Sequence, residues 1–336
     1  MLFRSANWGT PILPTRYDPA WSHGWGVRDY SLERSVSVQQ ELRSNVSVSV
    51  GYFYRSFGNF TIVDNLATTP SDYDRFCITA PVDSRLPSGG GNLVCGLYDL
   101  KPASVGRVEV VTTLAKNYGK VDQNYKGFDF GLNLRLRKAL LQGGFTSGRE
   151  LFDDCDITLK LPERWIAGST KVSTSECRQK QPFLTQVKIL GSYQLPWALS
   201  ISGTYQNAYN TTSTSPNINP GAPRMGVPAN YVATNAQIVP SLGRNLSAGA
   251  NANATVNIVT PGTLWGDRLQ QIDVRLARTF KAGRLSMKAM VDLYNVLNTN
   301  VITAYNPNYG TNGAAWLLPV NVIPPRLLKF GVQIDY

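Results

Sequence analysis

The chain is poor in charge, in histidine and in long apolar runs, and each shortage removes a class of protein. Charged residues make up 16% of its 336 residues, against about 25% in an average soluble domain. No stretch approaches the roughly 18 consecutive apolar residues that a membrane-crossing helix needs, so a helical membrane protein is excluded. Helix-period stripes are also hard to find. A single histidine, His23, stands in a Trp/Gly/Tyr-rich stretch, which leaves no histidine-based nucleophile system to assemble. No enzyme is expected, and no cofactor.

Several local features have a chemical reading and a plainer one. Asp153, Asp154 and Asp156 flank Cys155, but no calcium-loop glycine and glutamate spacing follows, so a solvated loop is expected and no metal. Gly89–Gly91 lacks the lysine and following helix of a phosphate loop. The net charge of +11 comes from scattered Lys and Arg. Without a basic run, zinc spacing or aromatic RNA-binding signature, a nucleic-acid partner is not expected. The four cysteines form two local pairs, Cys77 with Cys95 and Cys155 with Cys177, in Gly, Pro, Asp and Ser-rich surroundings. Two loop-stapling disulfides in an oxidising compartment fit this placement; four unrelated thiols remain the alternative.

What is present is alternation of period two. Hydrophobic residues reach 43% although mean hydropathy is only −0.17, as expected where apolar and uncharged polar residues interleave. In 271–280, Ile272, Val274, Leu276 and Phe280 share one face and Gln271, Asp273, Arg275 and Thr279 the other. Leu285, Met287, Ala289, Val291 and Leu293 repeat the pattern against Ser286, Lys288 and Asp292, after a turn at 281–284. The stretches 46–55, 128–137 and 183–193 read the same way.

About thirteen strands are expected: 31–42, 46–64, 92–100, 107–116, 124–136, 140–152, 182–194, 198–208, 229–239, 252–259, 268–280, 285–296 and 326–336. Several exceed the usual strand length and suffice for a tilted membrane-crossing strand of about 9–11 residues. Aromatics gather near strand ends, where an interfacial girdle places them. Connections alternate in length, short near 43–45, 101–106, 137–139, 195–197 and 281–284, long at 65–91, 153–181, 209–228 and 297–325. Two do not fit, 117–123 and 240–251. The expected fold is therefore all-β, an antiparallel transmembrane β-barrel of outer-membrane type, partial, over 30–336, with 1–29 ending a preceding strand or loop. Lipid is the expected environment, the bacterial outer membrane the expected location, and the long loops with both cysteine pairs face outward. Asp129, Arg135, Arg137, Lys188, Asp273, Arg275, Lys288 and Asp292 are expected on the lumen face, where they either line a working lumen or merely solvate it.

The chain ends in mid-strand on an aromatic. Leu328, Phe330, Val332, Ile334 and Tyr336 alternate with Lys329, Gly331, Gln333 and Asp335. The spacing of Lys329, Gly331, Ile334 and Tyr336 resembles the signal read by the bacterial barrel-assembly machinery. PGTLWGDRLQQIDVRLARTF (261–280), DLYNVLN (292–298) and PPRLLKFGVQIDY (324–336) resemble the C-terminal end of TonB-dependent receptors. GYFYRSFGNFTIVDN (51–65), APVDSRLP with its following glycines (80–91) and LTQVKILGSYQLPW (184–197) are similar to the Oar-like branch. That resemblance implies uptake of an unidentified substrate through a barrel of about 22 strands, with an N-terminal plug and a TonB-engaging box. Neither those nor a signal-peptide pattern is found in this sequence, so plug and TonB are expected partners only of a complete receptor. The alternative is a plugless surface barrel, a passive pore or adhesin platform.

Overall fold

A computed structural model describes residues 16–209 and 226–336. Most of the loop 209–228 and the first half of segment 1–29 lie outside them. The protein is all-β and predominantly antiparallel. Its main sheet is a wall of nine long strands: β1 Tyr30–Arg43, β2 Val46–Gly58, β3 Asp122–Arg135, β4 Ala139–Asp153, β5 Leu184–Gln194, β6 Leu199–Ala208, β7 Leu269–Ala282, β8 Leu285–Tyr294 and β9 Leu327–Asp335. Each pairs antiparallel with the next. A short strand, Arg178–Lys180, extends the sheet beside the end of β4. The strands hold 9 to 15 residues, enough to span an apolar layer when tilted.

Side-chain alternation gives this wall two chemistries. Facing residues in the register share a side, and one side is continuously apolar: Val48, Leu132, Gly143, Ile189, Tyr205 and Ile272 follow one another across six strands. Ile201, Leu276, Val291 and Phe330 form a second such row. This face is uncovered, with Val50, Ile189, Leu276 and Phe330 all exposed. Soluble monomers rarely expose contiguous apolar patches larger than about a few hundred Å².

The short connections 44–45, 136–138, 195–198 and 283–284 lie on one rim, where Gly283 adopts φ 63° to turn the chain in two residues. Trp197, 78% exposed, sits at the tip of one of these turns. The opposite rim carries four long excursions, 59–121, 154–183, 209–268 and 295–326.

Those excursions fold together into a cap, and four expected wall strands belong there. The stretches 92–100, 107–116, 229–239 and 252–259 form the strands Leu93–Leu100, Val110–Leu114, Asn230–Thr234 and Asn253–Asn257, paired with other cap strands and not with the wall. The 46–64 stretch divides into β2 and a cap strand, Thr61–Asn65. The turn at 101–106 is likewise a cap feature. Once these elements leave the wall, the two connections that did not fit, 117–123 and 240–251, fall in cap excursions, the first running into the start of β3 at Asp122, and short and long connections alternate without exception.

The hydrophobic core sits in the cap. Phe76, Ile78, Leu97, Tyr231, Ile238, Val256, Tyr309 and Trp316 are its buried centre, and Trp316 Nε1 donates to Pro228 O at 2.9 Å. A five-stranded sheet unites three excursions, running from Ile166–Ala167 through Thr170–Lys171, Asn253–Asn257 and Asn230–Thr234 to Asn308–Gly310. Helix Asn235–Leu242 starts from a capping box between Thr234 and Gln237 and stops at Gly243, left-handed at φ 76°.

Candidate functional site: the polar inner wall and its cap

The other face of the wall is polar, and it gathers the expected lumen residues. Gly51, Asp129 and Thr146 lie side by side on β2, β3 and β4. Lys188 faces Gln206, which faces Gln271. Ser202, Arg275, Asp292 and Lys329 form one row across four strands, and Lys288 stands between Thr279 and Gln333. Arg135 closes β3 on this same face. Arg137 does not belong to the set: it lies in the short turn 136–138, where no strand alternation orients it.

Two contacts show how the face is built. The Arg275 guanidinium grips Asp292 with Nε–Oδ1 at 2.5 Å and Nη2–Oδ2 at 2.9 Å, the two-pronged geometry that suits a carboxylate. Asp129 lies across the neighbouring strand, where a β-carbon at Gly51 would meet its Oδ1 at 2.5 Å; a larger residue there would have to displace that carboxylate.

The DLYNVLN segment joins this face to the cap. Asn295, left-handed at φ 49°, donates from its amide N–H to Asp273 at 2.8 Å and from its side chain to Thr299 O and Pro324 O. Asparagine tolerates that conformation better than other non-glycine residues. Its role is to turn the chain out of β8.

Both cysteine pairs are disulfides. Cys77–Cys95 staples the cap hairpin Tyr73–Thr79/Leu93–Leu100 where its register shifts, and Cys155–Cys177 closes the second excursion. The acidic cluster is divided among structural roles: Asp153 faces Arg178 at 3.3 Å and buried Asp154 faces Arg164 at 3.0 Å. Among the described residues no group of three or more His, Cys, Asp or Glu side chains converges as a metal site. His23 is exposed beside Ser22 Oγ at 2.8 Å, while Gly89–Gly91, all at positive φ, form a tight turn against Val82.

Sequence reasoning missed the cap's buried ions. Asp99, 2% exposed, accepts from Arg244 Nη1 at 2.7 Å, Ser247 N at 2.9 Å and Lys171 Nζ at 3.5 Å. Arg244 also binds Asp74 at 2.8 Å, so three excursions are clasped at one point. Asp83 and Arg85 tie the first excursion to the fourth, through Tyr309 Oη at 2.9 Å and Gly313 O at 2.9 Å. Burial pushes the Asp154 carboxyl up to about 6. Burial, reinforced by neighbouring Asp64, pushes Glu163 up to about 7. Burial also lowers Lys171 from the usual lysine range, against the pull of Asp99.

No family model matches the chain, and no curated protein does. Among solved structures it is similar to a Pseudomonas aeruginosa FadL homologue, with 10% identity, 79% of this chain covered and a TM-score of 0.25. The chain spans half of that structure's length.

Proposed function

We propose that this chain is a sector of a bacterial outer-membrane barrel that takes part in solute uptake, with the cap facing the medium. The carrying observation is the uncovered apolar face of nine long strands backed by a polar face. Lipid satisfies the first and water the second. Backbone groups at a sheet edge cost several kcal/mol each in hydrocarbon. β1 and β9 are the outer strands of the wall, and both run from the cap rim to the short-turn rim. Two strands of like direction close an antiparallel barrel only through an odd number of further strands, which supports a larger whole.

Within that reading, the resemblance of 261–280, 292–298 and 324–336 favours a TonB-dependent receptor, whose plug would meet the inner charges. The size of the cap, with its own core and two disulfides, favours the second reading, an adhesin-like surface barrel. The test uses cells making the complete protein. Recovery in the soluble periplasm would end the membrane reading. Outer-membrane recovery with site-specific cross-links to TonB supports the receptor. Outer-membrane recovery without such cross-links leaves the pore or adhesin.

A further inference from the structure

A cavity of about 560 Å³ opens in the cap above the ion clasp, within the range of roughly 300–1,000 Å³ typical of small-molecule sites. Asp99 and Lys171 form its floor, and Ser169, Asn251 and Asn253 stand on its walls. The walls are held in place: Asn235 Nδ2 binds Gly249 O and Ala250 O at 3.0 and 2.8 Å, and Thr255 N donates to Ser169 O at 2.8 Å.

The floor is unbalanced in one respect. Asp99 is saturated by Arg244, Ser247 and Lys171. The Lys171 side chain is only 7% exposed, yet among the described residues its ammonium makes a single contact, to Asp99 Oδ1 at 3.5 Å. An ammonium carries three N–H donors, and burying them unpaired is costly. Asp74 and Asp99 are already offset by Arg244 and by Lys101, which lies 3.6 Å from Asp74. Lys171 is therefore the surplus positive charge, and it lines the cavity. Ser169, Asn251 and Asn253 make no side-chain hydrogen bond among the described residues, so the walls offer free polar groups around that charge.

We propose that the cap cavity binds a small hydroxylated carboxylate, a sugar acid in size and chemistry, with Lys171 Nζ holding the carboxylate and Ser169, Asn251 and Asn253 meeting the hydroxyls. This deepens the uptake reading by naming a ligand class, but binding is measurable without transport. The cavity could serve an adhesin equally well.

The experiment is a titration of the purified, bilayer-reconstituted protein with D-glucuronate and, separately, with D-glucose, followed by calorimetry or saturation-transfer NMR. Glucuronate should bind and glucose should bind at least about tenfold more weakly, since a charge-assisted hydrogen bond is lost. Lys171→Met should weaken glucuronate by about ten- to hundredfold. Ser169→Trp, on the exposed wall and away from the clasp, should block binding while near-ultraviolet dichroism stays unchanged. That second variant keeps the test decisive if Lys171→Met disturbs the cap. Absence of glucuronate binding at millimolar concentration, equal binding of glucose, or binding unaffected by Ser169→Trp would each overturn the assignment. Absence of glucuronate uptake by cells whose protein binds glucuronate would instead count against the transport reading alone.

Discussion

Ile189 and Leu190 are chain neighbours of nearly equal size and exposure that face opposite sides of the wall. Ile189 lies between Gly143 and Tyr205 on the apolar side, and Leu190 between Gln142 and Thr204 on the polar side. β5 has 11 residues; at about 3.3 Å each and a tilt near 40° it spans roughly 28 Å, with Ile189 at its middle. An arginine there meets the bilayer midplane and should cost about 2–4 kcal/mol, a fall of about 30- to 700-fold in the folded-to-unfolded ratio. Leu190→Arg makes the same chemical change toward water and should cost close to nothing. Both variants, refolded into phospholipid vesicles, would be unfolded with urea and followed by tryptophan fluorescence. If the apolar face were an ordinary wet surface, Ile189→Arg would shift stability by no more than about 0.5 kcal/mol. Equal effects at the two positions, or a larger loss at Leu190, would refute the assignment of faces.

Reducing both disulfides should loosen the cap by about 3 kcal/mol per link on a loop-entropy account, given separations of 18 and 22 residues; peptide mapping without reductant should recover Cys77–Cys95 and Cys155–Cys177, and free thiols at all four positions would contradict it. On intact cells, an impermeant thiol reagent should label a cysteine placed at Asn312 in the cap and miss one at Ala282 beside the short turn; the reverse pattern would invert the orientation. Buried Asp154 and Glu163 hold protons more tightly folded than unfolded, with values raised to about 6 and about 7. The folded state then binds more protons between about pH 4 and pH 7, so their contribution to cap stability is greatest at the acid end and is lost as pH rises through that window. Cap melting should therefore move to higher temperature from pH 7.5 to pH 5.5, and a flat or opposite trend would count against those burials. Tyr336→Asp in the complete protein should impair outer-membrane insertion while Asp335→Asn is tolerated; normal insertion of the tyrosine variant would remove the assembly role assigned to the last strand.

The nine wall strands were legible because long runs of period two admit few other structures. The assignment of four cap strands to the wall came from the same signal. Alternation reports that a strand has two unlike neighbours, not which neighbours they are. A local signal for the cap was present at one of those places: Thr234-x-x-Gln237 with Gly243 is a helix start and stop, lying within and just past the stretch read as strand 229–239. The inner-face charges were legible residue by residue, apart from Arg137, whose place depends on where β3 ends. The ion clasp was not legible, since Asp99 and Arg244 are 145 residues apart and nothing local marks either as the other's partner.

Val50 and Val256 show how one code serves two surroundings. Both sit in alternating strands, yet Val50 is 52% exposed on the wall and Val256 is fully buried in the cap. In the cap, Val256 shares a buried core with Ile238, Leu97 and Trp316, and removal from water supplies the driving force. In the wall no second layer covers the apolar face, and among the described residues the buried apolar side chains of the wall strands, Phe152 and Ala277, stand on its other side. The wall's cohesion therefore rests on the continuous backbone ladder from β1 to β9, whose bonds strengthen as the surroundings become less polar. Water weakens that arrangement on the apolar side, and hydrocarbon strengthens it. The cap needs the opposite: its ion clasp and disulfides close an ordinary aqueous core. A chain divided in this way, with every long excursion on one rim, is suited to a boundary between lipid and water and to neither phase alone.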